Sequence, residues 1–229
     1  MPFITSDDNN HYLGWFQFDS TSYPVMNYPK MDNSIMNASL QLIEHALTNY
    51  KKVILVRLDF HMNKFTNHNQ AIQNLFNKLK VQIKEQFSSN LFYLWVRERT
   101  CTSLPQHYHV VLALSGHTCL NSWNVYHIAR DIWEAHPDSG SCYHPYNPFY
   151  TLSRISDRKF HENLKACIYR VSYLAKDISK ENSPEVKRRY GTGGFLRHAG
   201  GCTYSLESYF EHEHILPLSS KCTAMLFGQ

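Results

Sequence analysis

No CxxC pair occurs in this chain of 229 residues, whose six cysteines stand apart at positions 101, 119, 142, 167, 202 and 222. That absence argues against a zinc ribbon, and with no charged-then-apolar leader at the start a secreted disulfide scaffold is not expected either. The thiols are expected to be reduced and the protein cytoplasmic. No run of eighteen apolar residues is present, so neither a membrane-spanning helix nor a membrane partner is indicated. Internal repeats are missing as well. Charge is scarce: Asp, Glu, Lys and Arg make up 18% of the residues and leave a balance of +4. A pI near 8.6 permits nucleic-acid binding but lies far from the charge density of a histone-like protein.

What the sequence does have is aromatic and apolar surface. Fifteen tyrosines, four tryptophans and a hydrophobic share of 43% are the composition of a folded globular protein, not of a disordered one. The length allows one sizeable core, with or without an appendage. Residues 1–33, with Asp7, Asp8, Asn9 and Asn10 among prolines and scattered aromatics, show no sustained period and are expected to be an irregular arm. Residues 34–195 are expected to form the catalytic domain and 196–229 a loop-rich tail.

Within the domain, helical spacing predicts helices over 34–50, 67–87, 121–135 and 158–180. Alternation predicts strands over 53–60, 91–99 and 107–114, with a further short one near 149–155. The strands at 91–99 and 107–114, joined by a short loop, are expected to form an antiparallel hairpin. Beyond Glu181 the glycines and Pro184 predict loops. The fold class is α+β, a mainly antiparallel sheet flanked by helices that cover one face.

Two imidazoles emerge from one side of the third strand. His107 and His109 flank Tyr108, and side chains alternate along a strand, so Tyr108, Val110, Leu112 and Leu114 turn the other way. The hairpin brings Glu98 beside His107, where cross-strand Cβ atoms approach to about 5 Å. Two histidines and one carboxylate form a metal-ligand set with positions left open for water or a substrate oxygen. An HxH pair by itself is also what two partly exposed histidines look like; Glu98 at hairpin distance favours the metal reading, and the tyrosine helix favours it further.

Tyr169, Tyr173 and Lys176 follow on the last helix at spacings of four and three, within a sector of roughly 60° and away from the stripe of Leu164, Cys167, Ile168, Val171, Ala175 and Ile178. A phenol with a pKa near 10 is only about 0.1% ionised at neutral pH, and its full ionisation costs roughly 4 kcal/mol. A divalent metal on a phosphate and a neighbouring lysine are suitable help. Asp59 and His61 lie on the polar side of the first strand and face either the same site or, for Asp59, an ion pair with Arg57. Arg188, Arg189 and Arg197 are candidate phosphate contacts, and Arg57, Asp59 and His61 join them as candidate DNA-binding residues.

Glu98, the stretch from His107 to Leu114, and Tyr173-Leu174-Ala175-Lys176, in that order, resemble the HUH endonucleases, which include rolling-circle replication initiators and relaxases. Val56-Arg57-Leu58-Asp59-Phe60-His61, Trp95-Val96-Arg97-Glu98 and Arg188-Arg189-Tyr190-Gly191 make the chain most similar to the YagK/YfjJ family, relatives of the filamentous-phage gene II replication protein. The resemblance spans about residues 53–195.

The resemblance implies a five-stranded antiparallel sheet carrying a site for Mg2+ or Mn2+. It also implies cleavage of single-stranded or hairpin origin DNA that leaves a free 3′ hydroxyl and a 5′ phosphotyrosine. Tyr173 matches the single nucleophile followed by lysine, and the Tyr169/Tyr173 pair matches the two-tyrosine initiators. Tyr108 departs from the pattern, since a long apolar residue commonly separates the histidines. Nothing resembles a helicase domain, so a host helicase and polymerase are expected as separate partners, in a bacterial cell carrying a phage, plasmid or other mobile element.

Two other function classes are compatible with parts of this pattern. A two-histidine, one-carboxylate iron oxygenase would use the triad, but it usually places the acid two residues after the first histidine and has no use for the tyrosine helix. A DNA-binding regulator could keep the fold without the chemistry. The intact set of Glu98, His107, His109, Tyr173 and Lys176 argues against it.

Overall fold

The computed structural model describes residues 6–7, 10–18, 21–99, 104–146, 148–155, 159–177, 186, 188–195 and 206. Arg197 and nearly all of the tail expected over 196–229 lie outside the described residues. The region expected to be an irregular arm instead carries a small antiparallel sheet of β1 (Ser6–Asp7), β2 (Asn10–Phe18) and β3 (Thr21–Met26). Its Phe16, Tyr23 and Val25 are buried in the main core, and that burial defines the strands where no clean alternation announced them.

The chain then runs through α1 (Asn33–Asn49), β4 (Lys52–Met62), α2 (Gln70–Phe87), β5 (Phe92–Glu98), β6 (His107–Ser115) and α3 (Trp123–Glu134). It continues through β7 (Ser139–Tyr143), β8 (Phe149–Ser153), α4 (Phe160–Val171), a 3-10 turn (Ser172–Ala175) and β9 (Tyr190–Gly193). Six strands form one antiparallel sheet in the order β7-β4-β6-β5-β9, with β8 also paired to β4. The count is one more than the expected five because β4 shares its outer edge between two short strands, β8 along 52–56 and β7 along 59–62.

Helices cover both faces of the sheet, not one. On one face Ile54, Val56, Leu58, Phe60, Tyr108, Val110, Leu112 and Leu114 pack against α2 and α3. On the other, Val53, Leu55, Phe92, Leu94, Val96, Val111 and Ala113 pack against α1 and α4. The unbroken apolar run Val53-Ile54-Leu55-Val56 belongs to a strand buried on both sides, and strict alternation resumes only where Arg57, Asp59 and His61 begin. No helix among the described residues is long and apolar enough to cross a membrane.

Strand β9 lies where loops were expected, because Gly191 and Gly193 read as chain breakers. Their lack of a side chain is what permits the pairing. A Cβ on Gly193 would sit 2.3 Å from the Tyr93 ring and one on Gly191 2.7 Å from Trp95, so both glycines are sites of close approach to aromatics on β5.

The last helix is shorter than its sequence period. It is α-helical only to Val171 and tightens into the 3-10 turn, after which Lys176 is extended and bridges to Met31. Asp32 anchors this junction. Its side chain caps α1 by accepting from the Ser34 and Ile35 amides at 2.9 and 3.2 Å, while its own amide donates to the Ala175 carbonyl at 2.7 Å.

Candidate metal centre and tyrosine

The sheet register assembles the site. His107 stands opposite Glu98 on β5 and opposite His61 on β4, while His109 stands opposite Asp59. All of these residues except Glu98 were placed by alternation on one face of their strands. Glu98, at the end of β5, turns its carboxylate to both imidazoles. Its Oε2 lies 3.7 Å from His107 Nε2 and 3.4 Å from His109 Nε2.

Glu98, His107 and His109 form a group that could hold a metal ion, with one ligand atom of each within 4.8 Å of the others. Ligands around a hard divalent cation held at about 2.1 Å are about 3.0–3.4 Å apart when at right angles or tetrahedral. The two separations from Glu98 Oε2 are within a few tenths of an ångström of that range.

His109 supplies a second test of fit. Its Nδ1 is 2.6 Å from Asp59 Oδ1, so Nδ1 carries a proton and donates it. Its Nε2 is buried without a hydrogen-bond partner. A neutral ring in this tautomer aims a lone pair at the Glu98 carboxylate, which is repulsive unless a proton or a cation sits between them. Burial alone would lower the His109 pKa, but the hydrogen bond to Asp59 and the charges of Asp59 and Glu98 outweigh it and hold the ring above its usual value. Burial would raise the Asp59 carboxyl, yet His109 and Arg57 hold it below the usual range. The site thus already favours a positive charge at Nε2, which is the place a metal would occupy.

Asp59 is therefore joined to the triad through His109 as well as to Arg57, whose guanidinium it meets at 3.1 Å. Arg57 lies 4.6 Å from the centroid of the Tyr173 ring. His61 is exposed, and its ring stacks on His107 with centroids 5.4 Å apart and an angle of 17°.

Tyr173 arrives from the other direction. Its ring meets His109 edge-on at 5.3 Å. The Lys176 ammonium donates to its hydroxyl and also lies 3.7 Å from Glu98 Oε2. A 3-10 turn has three residues per turn and so eclipses positions three apart, which is how Lys176 comes to lie over Tyr173. Lys176 thereby links the phenol of Tyr173 to the carboxylate of the triad.

Tyr169, expected in the same sector, is buried. It is 2% exposed and packs with Leu13 and Ala166, beneath Trp15 and Met26. The side of α4 expected to be open is covered by the N-terminal hairpin, and burial pushes the Tyr169 phenol up to about 12. That hairpin also leads to Tyr28, a site neighbour that the aperiodic arm gave no signal for. Its ring meets Tyr173 at 6.4 Å, and burial, with Tyr173 and Tyr169 beside it, pushes its pKa to about 12.

Arg97, buried at 0% exposure, is structural. It faces away from the triad and donates to the carbonyls of Thr66 and His68, to Asn69 Oδ1 and to the Tyr108 hydroxyl. Arg188 is exposed, and the Arg189 carbonyl accepts from the Arg97 amide at 2.7 Å, so both arginines lead into β9 at the level of Glu98.

The YagK/YfjJ C-terminal domain family profile matches residues 17–193, most of the chain and all of the site. Comparison with curated proteins and with solved structures finds no match.

Proposed function

Given that this chain belongs to the YagK/YfjJ C-terminal domain family, we propose that it is a divalent-metal-dependent tyrosine endonuclease of the HUH type, related to the gene II class of initiators. It nicks and rejoins single-stranded DNA at a replication origin. The observation that supports this reading is that one lysine joins the phenol to the three-ligand group: Lys176 contacts both the Tyr173 hydroxyl and Glu98.

Glu98, His107 and His109 would hold Mg2+ or Mn2+. Bound there, the cation supplies charge neutralisation and orientation of a phosphoryl oxygen. The chain's own residues do the rest. Asp59 holds the His109 tautomer that leaves Nε2 free to ligate. Lys176 stabilises the phenolate of Tyr173, and Arg57 beside the ring adds a second positive charge. The Tyr173 oxygen attacks phosphorus, the P–O3′ bond breaks, and the departing 3′ oxygen takes up a proton to become a free hydroxyl. The 5′ phosphate stays on Tyr173 as an ester whose reversal by a 3′ hydroxyl rejoins the strand. Tyr169 is a poor rival, because a phenol with a pKa of about 12 is ionised to only about one part in 100,000 at neutral pH.

A randomised single-stranded oligonucleotide pool, labelled at the 3′ or the 5′ end and incubated with Mn2+, tests the reading. The 3′ label should transfer to protein and resist denaturation, and the 5′ label should not. Tyr173→Phe should abolish transfer, and Tyr169→Phe should retain it. Transfer lost in Tyr169→Phe but kept in Tyr173→Phe would reassign the nucleophile. DNA binding without transfer would make the protein a regulator.

A further inference from the structure

We propose that the exposed rings of Tyr143 and His61, on the β7 side of the triad, are a stacking platform for the bases that flank the scissile phosphate. This rests on the endonuclease reading and adds where the bases lie.

The register gives the placement. On β7, Cys142 stands opposite Phe60 and Tyr143 opposite Asp59. Cys142 is buried in the same core as Phe60, so alternation turns Tyr143 to the opposite face, the one that carries Asp59 and His109. There it is 56% exposed. His61 is two residues along β4 from Asp59 on that same face, exposed, and its ring is already stacked on His107. Across the strand ends the side chains of this face therefore change in order, from Glu98 on β5 to the two histidines on β6, Asp59 and His61 on β4, and Tyr143 on β7.

A phosphodiester chain laid across this row finds the three-ligand group at one end and open aromatic faces at the other. Rings suit nucleobases because every base has a π-face, which makes stacking tolerant of sequence. Continuity with the triad sets the occupant: a strand whose phosphate reaches Tyr173 must place its adjoining nucleotides on these rims.

The test is anisotropy of a dye-labelled thymidine 20-mer in EDTA, where no cleavage occurs, across a salt series. Tyr143→Ala should weaken binding about ten-fold and Tyr143→Phe should bind as wild type. The salt slope should stay unchanged, since no phosphate contact is lost. An abasic 20-mer should bind wild type and Tyr143→Ala alike. Unchanged binding in Tyr143→Ala, or a loss that is equal on abasic DNA, would overturn the platform even if wild type forms the 3′-labelled adduct. Absence of the adduct together with Tyr143-sensitive binding would overturn the nuclease reading and leave the platform standing.

Discussion

The two ends of a single sheet face serve different purposes. At one end Val53 and Leu55 on β4, Phe92 and Leu94 on β5, and Val111 and Ala113 on β6 are sealed beneath α1 and α4. A few residues along the same strands, Arg57, Asp59, Glu98, His107 and His109 form a partly open constellation of charge. The backbone geometry is shared and only the side chains change. The dry end holds the strands in register, and the register aligns the ligands at the wet end. Stability and chemistry should therefore respond to different substitutions, although they occupy the same three strands.

The sharpest way to break that division is His107→Ala. Calorimetric titration with Mn2+ should show affinity falling by more than about 100-fold, since losing an orienting partner alone costs about 10–100-fold, while the urea midpoint of the metal-free protein moves little. Leu94→Ala at the dry end should do the reverse, costing about 2–5 kcal/mol in urea denaturation with Mn2+ affinity of the folded protein retained. Equal effects of both substitutions on both measurements would mean that the two ends are not separable. Asp59→Asn should fall between them, lowering Mn2+ affinity about 10–100-fold through a loosened His109.

The smallest expected effect concerns two phenols, buried Tyr169 and half-buried Tyr28. Tyr28 and Tyr169 have folded pKa values raised to about 12 against about 10 in the unfolded chain. Their stabilisation is complete below about pH 10 and is lost as pH rises toward 12, because the unfolded state then releases protons that the folded state retains. Urea midpoints should decline over that interval, and less steeply in Tyr169→Phe. An unchanged decline would place the alkaline sensitivity elsewhere.

Much of the site was legible because it depends on short-range rules. The alternation of His107-Tyr108-His109 gave the ligand face, and a hairpin of ordinary length gave Glu98. Asp59 was placed on the correct face, though its pairing with His109 needed the β4–β6 register, which no local pattern specifies. The burial of Tyr169 was not legible because the cover over α4 comes from residues about 150 positions earlier. Ile178 extended the apolar period past the point where the backbone leaves the α-helix, so the tight turn that pairs Tyr173 with Lys176 was hidden. β9 was hidden for a related reason: glycine marks both a loop and a close approach to an aromatic ring, and only the partner strand distinguishes them.

The way the sheet ends also bears on how the protein behaves at high concentration. A long, flat outer strand offers unpaired amides and carbonyls to any neighbouring chain. Here one border is divided between two five-residue strands, β7 and β8, and the opposite border is the four-residue β9 with its two glycines. Among the described residues neither border gives an incoming strand more than a few consecutive bonds, so self-templated aggregation has little purchase on these edges despite the strongly apolar interior.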